Sequence, residues 1–162
     1  MKVEQLMTRT VRTCGPDDTL ARAAEIMWEQ DCGCVPVVLE GDGDPQVVAM
    51  VTDRDVCMAA WTQGRALTEI PVRIAMSRAV CTVGAQEPLE VALKILTTNQ
   101  LHRLPVVDAS GRLVGILALA DIAREARRGH GHRNGGVGDD GIGTAVESIA
   151  APRAAGELVT AA

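Results

Sequence analysis

Val47-Val48-Ala49-Met50-Val51-Thr52-Asp53-Arg54-Asp55 carries an apolar, β-branched stretch straight into Thr-Asp-Arg-Asp and then into a helical pattern. A strand that ends where a helix begins leaves the first backbone N–H groups of the helix unpaired, with the positive end of its dipole behind them. Such a place favours anions. Thr52 can cap the helix or donate to a phosphate oxygen, and Asp55, one turn further on, can accept from the two hydroxyls of a ribose. The competing reading is a plain capping pair, in which Thr52 accepts from the Asp55 N–H and Asp55 accepts back from Thr52. A single instance favours the cap.

The surroundings occur twice, however. Val114-Gly115-Ile116-Leu117-Ala118-Leu119-Ala120-Asp121 repeats strand, exit and acidic residue. Met7 is matched by Met76, a shift of 76 − 7 = 69. At that shift Arg9, Val11, Thr13, Gly15, Leu20, Ala23, Ile26, Pro36, Val37 and Val38 all meet identical residues. Past the second strand the shift falls to 121 − 55 = 66, because Asp108-Ala109-Ser110-Gly111 replaces the longer loop Glu40-Gly41-Asp42-Gly43-Asp44-Pro45. The chain is an internal repeat. Each copy is too small to bury a sheet face alone, so the two halves are expected to pack face to face with pseudo-twofold symmetry. A shared central cleft between the two exits would then hold a small ligand.

Composition narrows the field of functions. The 162 residues are 47% hydrophobic, yet they include no Phe, no Tyr and only Trp28 and Trp61, so the core must be aliphatic. A net charge of −5 and the lack of stacking side chains speak against nucleic acid as a partner. Met1-Lys2-Val3-Glu4-Gln5-Leu6-Met7-Thr8 has no signal-peptide core, and no run approaches the ~20 apolar residues of a membrane span. A cytoplasmic protein is expected, with no membrane partner. The odd count of five cysteines suits reduced thiols, and Cys32-Gly33-Cys34 lacks the second Cys/His pair that a structural zinc site needs.

In chain order, Val3–Met7 reads as a helical lead-in and Val11-Arg12-Thr13 as a brief strand. A turn at Gly15-Pro16-Asp17-Asp18 precedes a helix from Thr19, with Leu20, Ala23, Ala24, Ile26 and Met27 inward. Val35-Pro36-Val37-Val38-Leu39 is the next strand, and the helix after Asp53 should stop near Gly64. The division expected is 1–66, 67–128 and a Gly/Ala-rich tail over 129–162. His130 and His132 make a poor metal site in such a tail, and Ile142–Ala151 could form a short helix.

The order of short strand, helix, x-Pro-Val-Val strand, turn and apolar exit into a helix that carries Asp, present twice and with Thr-x-x-Asp in the first copy, resembles the CBS (cystathionine β-synthase) domain. The tandem pair, from about Val3 to Arg127, resembles a Bateman module. The resemblance implies an α+β fold of two β-α-β-β-α units around a cleft that takes adenosine nucleotides, AMP, ADP or ATP, with or without magnesium. It also implies a sensing module that catalyses nothing. By that likeness Asp55 and Asp121 match the ribose-binding aspartates, and Thr52 the phosphate-side hydroxyl. Cys34, Val35 and Pro36 in the first copy and Arg103, Leu104 and Pro105 in the second line the base pocket, with Arg103 able to reach phosphate. Thr13 and Thr82 line it at the strand ends. Ala118 departs from the pattern where Thr or Ser is usual, and Ala49 where Gly is usual.

No nucleophile elbow, P-loop, dinucleotide fingerprint or HExxH helix is present, and the three histidines offer no held general base. The expected function is therefore regulatory. An adenosine nucleotide would shift the arrangement of an expected homodimer, to be read by an effector protein that the residues do not identify; S-adenosylmethionine stays open as a ligand. The alternative is a ligand-free structural or protein-interaction module in which Thr-x-x-Asp is only a cap. Met58 and Trp61 belong either to a dimer face or to the core.

Overall fold

The computed structural model describes residues 1–39 and 45–129, with side chains through residue 125. The acidic loop at 40–44 lies outside the described residues, as do the tail histidines and the helix expected at Ile142–Ala151. The described elements are α1 (Leu20–Glu29), β1 (Cys34–Leu39), β2 (Gln46–Thr52), α2 (Asp53–Gln63), β3 (Val83–Gly84), α3 (Leu89–Thr98), β4 (Arg103–Val107), β5 (Leu113–Ala118) and α4 (Leu119–Gly129). Short 3-10 turns cover Val3–Gln5, Leu67–Glu69 and Val72–Ile74. The fold is α+β, as the repeat implies.

Two compact units emerge, and each contains a segment that lies outside its own sequence repeat. The first comprises Arg12–Val80, and the second joins Met1–Val11 to the residues from Cys81 on. The boundary is thus displaced from the one the repeat suggests, because the two lead-in segments are exchanged. Leu89 N–H donates to the Met1 carbonyl at 3.0 Å and Val3 N–H to Glu87 at 3.0 Å. In the equivalent contacts of the other unit, each residue replaced by its counterpart at the 69-residue shift, Leu20 N–H donates to Ile70 at 2.8 Å and Val72 N–H to Asp18 at 2.8 Å. Each lead-in also supplies side chains to the core it joins. Val3 and Met7 pack with Leu89, Leu96, Leu104 and Leu117, while Ile70 and Val72 pack with Leu20, Ile26, Val35 and Val51.

In the first unit β1 and β2 pair antiparallel, and in the second β4 and β5 do the same, with β3 parallel to β4. The ladder irregularities recur at Val37/Val38 and Val106/Val107. The strand expected over Val11–Thr13 does not form. A single parallel bridge, Cys14 to Val37, stands in its place. In the second unit Ala85 extends this pairing by donating its N–H to the Val107 carbonyl at 2.9 Å. Its counterpart in the first unit is Pro16, which has no N–H to donate.

The first helices end alike. Asp31 (φ 47°) and Gln100 (φ 50°) take the left-handed conformation. Beyond them, Cys32 N–H reaches Met27 at 3.0 Å and Leu101 N–H reaches Leu96 at 2.8 Å. These are Schellman closures made without glycine. α2 stops at Gly64, also left-handed at φ 59°, as the glycine in the sequence leads one to expect.

Candidate functional site

The strand-to-helix exit of the first unit is assembled from three pieces of chain. Antiparallel pairing sets Cys34, at the start of β1, opposite Thr52, at the end of β2. The Asp53 N–H then donates to the Gly33 carbonyl at 3.2 Å, tying the first residue of α2 to the residue before β1. Thr13 is brought alongside by its neighbour Cys14, whose N–H donates to the Pro36 carbonyl at 3.2 Å. Thr13, Thr52 and Asp55 are half-buried, and Cys34, Val35 and Pro36 are buried. The Val35 side chain belongs to the unit's own core, so what it can present at the exit is backbone.

The Thr52/Asp55 pair is a complete capping box. Thr52 Oγ1 accepts from the Asp55 N–H at 3.2 Å, while Asp55 Oδ2 accepts from the Thr52 N–H at 2.9 Å and from the Thr52 hydroxyl at 2.7 Å. All of these bonds use Oδ2. Asp55 Oδ1 accepts no hydrogen bond from any described residue. The cap and a second acceptor role are therefore compatible in one side chain.

The second exit repeats the framework and changes the chemistry. Arg103 pairs with Ala118 and Leu104 with Leu117, and the Leu119 N–H donates to the His102 carbonyl at 2.9 Å, as Asp53 does to Gly33. Thr82 immediately precedes β3, which runs beside Val106 and Val107. Leu104 and Pro105 are buried, Thr82 is half-buried, and Arg103 and His102 are exposed. Asp121 Oδ2 accepts from the Ala118 N–H at 3.1 Å, but with no hydroxyl at Ala118 the reciprocal bond is missing. Asp121 Oδ1 instead takes an ion pair from Arg124 Nη2. The sequence reading did not single out Arg124, although the repeat could have exposed it, since 124 − 66 = 58 places it opposite Met58.

A recess of about 450 Å³ lies between α1 and α2 of the first unit, lined in part by Met27, Trp28, Asp31, Cys32, Asp53 and Val56. It touches the exit at Gly33 and Asp53 and includes neither Thr52 nor Asp55. Trp28 on α1 and Trp61 on α2 are 88% and 78% exposed, and Met58, also on α2, is exposed. The core placement weighed for Met58 and Trp61 is thereby overturned. The buried side of α2 is carried by the smaller Val56 and Ala59.

Burial pushes the Cys14 thiol up from 9.0 to about 11, with the Asp18 carboxylate adding to the shift and Arg22 opposing it. Among the described residues no three His, Cys, Asp or Glu side chains gather to hold a metal ion, and no helix is long and apolar enough to cross a membrane.

Comparison with known proteins agrees with this geometry. The family model described as the CBS domain matches twice, over residues 3–61 and 68–128. CBS domain-containing protein YhcV of Bacillus subtilis is 36% identical over 121 residues, covering 75% of this chain and 82% of that protein. The crystal structure of Hypoxic Response Protein I with two coordinated zinc ions is 31% identical with a TM-score of 0.67, covering 76% of this chain and 98% of that one. The crystal structure of CBSX2 in complex with AMP is 27% identical with a TM-score of 0.66, covering 78% of this chain and 96% of that one. With two matched domains over most of its length, the chain belongs to the CBS domain family as a tandem pair.

Proposed function

We propose that this CBS pair is a free-standing regulatory module that binds an adenosine nucleotide, AMP, ADP or ATP, and signals by conformational change rather than by catalysis. The observation that carries the proposal is the open Oδ1 of Asp55 beside Thr52, at the N-terminus of an eleven-residue helix. There the positive end of the helix dipole favours a phosphate, and the carboxylate oxygen can take a ribose hydroxyl. The AMP held by CBSX2 supports the ligand class. Buried Cys34 and Pro36 and the half-buried Thr13 would border the base in the first unit. Arg103, exposed and cationic, would meet phosphate, with Thr82, Leu104, Pro105 and Asp121 as the second unit's contribution. Binding would shift a pre-existing balance of conformers, which an effector protein in the cytoplasm would read.

Thermal unfolding with AMP, ADP, ATP, GTP and S-adenosylmethionine, each with and without magnesium, tests this. A ligand at a hundred times its Kd stabilises by about 2.7 kcal/mol. For a chain of this size that is a Tm rise on the order of 5 to 10 °C. The rise should appear with adenine nucleotides and largely vanish in Asp55→Ala. The capping box favours a second reading, a ligand-free interaction module. On that reading Asp55→Ala lowers stability by about 0.5 to 2 kcal/mol and no nucleotide shifts Tm in either protein.

The exposed Trp28, Met58 and Trp61 support a homodimer formed through α1 and α2. Light scattering should give a dimer mass for the wild type and a monomer mass for Trp61→Glu; a monomeric wild type at all concentrations would rule the dimer out.

A further inference from the structure

We infer that Arg124 makes the second exit a weakened copy of the first, so that a nucleoside ligand fills the Asp55 exit ahead of the Asp121 exit. The inference rests on the nucleotide reading of the exits given above. It turns on how the two carboxylates are spent. At the first exit Oδ2 of Asp55 serves the cap and Oδ1 is open among the described residues. At the second, Oδ2 of Asp121 accepts from the Ala118 N–H and Oδ1 is occupied by the Arg124 guanidinium. A ribose hydroxyl arriving at Asp121 must displace a cation of the same helix. At Asp55 it displaces only solvent.

The repeat supplies the internal control. Position 124 corresponds to 58 and position 118 to 52, both by a shift of 66, so the first copy carries Met58 and Thr52 where the second carries Arg124 and Ala118. Asp121 is itself well covered, its side chain 13% exposed, whereas Arg124 reaches over it from a side chain 68% exposed. An ion pair with one partner in solvent is weak, so Arg124 alone should reduce ribose affinity only about two- to five-fold. Loss of the hydroxyl at Ala118 removes a further neutral hydrogen bond, about two- to ten-fold. Together they separate the two exits by about four- to fifty-fold.

Isothermal titration of the full chain with AMP tests this, using wild type, the double variant Ala118→Thr/Arg124→Met, and Met58→Arg. The wild type should bind one equivalent at the tighter affinity, with Asp55→Ala removing it. The double variant, which copies the first exit into the second, should gain a second equivalent within about two- to three-fold of the first. Met58→Arg, which copies the ion pair into the first exit, should weaken the tight site about two- to five-fold. Met58 and Arg124 are exposed side chains of α2 and α4, Ala118 is half-buried at the end of β5, and unliganded thermal unfolding checks that each variant keeps its fold. Two equal equivalents in the wild type overturn the inference while leaving the nucleotide reading standing. A double variant that titrates as wild type does the same. A wild type that binds no AMP overturns both.

Discussion

Cys14 shows what a single enclosed residue contributes. Its side chain is 3% exposed, in the core of the first unit, and its backbone makes the bridge that stands in for a strand. The thiol is held neutral, up to about 11 from 9.0, chiefly by burial. Between those values the folded chain binds more protons than the unfolded one, so this group's contribution is fully present below about pH 9 and is lost as pH rises through about 11. Urea unfolding at pH 8, 9.5 and 10.5 should show an alkaline decline in stability that is shallower in Cys14→Ala. An unchanged decline would remove Cys14 as its cause. The same burial leaves Cys14 unreactive toward thiol reagents at pH 8, where the exposed Cys57 is labelled.

At the scale of elements, the exits and the lead-ins are built on one plan with a few local exceptions, and each exception has a steric or hydrogen-bonding cause. Gly115 is the clearest. A Cβ there would come within 2.6 Å of Met7 Sδ and 2.9 Å of the Thr8 carbonyl oxygen. Bare backbone at Gly115 lets Thr8 and Ile116 exchange both N–H···O bonds, each at 2.9 Å. The first unit carries Ala49 at the matching position. There Ser77 N–H still donates to Met50 at 2.8 Å, but the Met50 N–H is taken by the Ser77 hydroxyl at 3.0 Å rather than by a carbonyl. A methyl group on the strand and a hydroxyl on the lead-in accompany each other. Gly115→Ala should therefore cost about 1 to 3 kcal/mol, read from the midpoint of chemical denaturation. A cost near zero would mean that the lead-in yields freely. At the helix ends, Asp31→Gly relieves a left-handed residue with a side chain and should raise stability by about 0.5 to 1 kcal/mol, visible as a Tm increase of a few degrees.

At the scale of the whole molecule, the exchanged lead-ins separate order along the chain from membership of a core. Met7 belongs to the first sequence repeat yet is buried with Leu89, Leu96 and Leu117 of the second. Met7→Ala should cost about 2 to 5 kcal/mol. Hydrogen exchange should locate the loss in α3, β4 and β5, while α1, β1 and β2 keep their protection. Loss confined to the first unit would contradict the assignment of this lead-in. The consequence for function is that neither sequence repeat contains all of one compact unit, so an isolated 67–128 fragment lacks Val3 and Met7 from its core.

The repeat, the two exits, the cap at Thr52 and the stop at Gly64 were all readable from the residues. Each depends on local rules: periodicity, a hydroxyl one turn before an N–H, or a glycine where the backbone turns left-handed. The family followed from those patterns occurring twice at matched spacing. Tertiary structure alone decided the rest. Which lead-in joins which core depends on pairing across long separations, 89 − 1 = 88 residues for one and 70 − 20 = 50 for the other, and both lead-ins match the same apolar pattern. Trp28 and Trp61 are apolar by composition, and only their position on α1 and α2 shows them facing solvent. The difference between Asp55 and Asp121 is likewise invisible in two aspartates at equivalent places. It lies in which carboxylate oxygen is already taken, and that depends on where an arginine one helical turn away comes to rest.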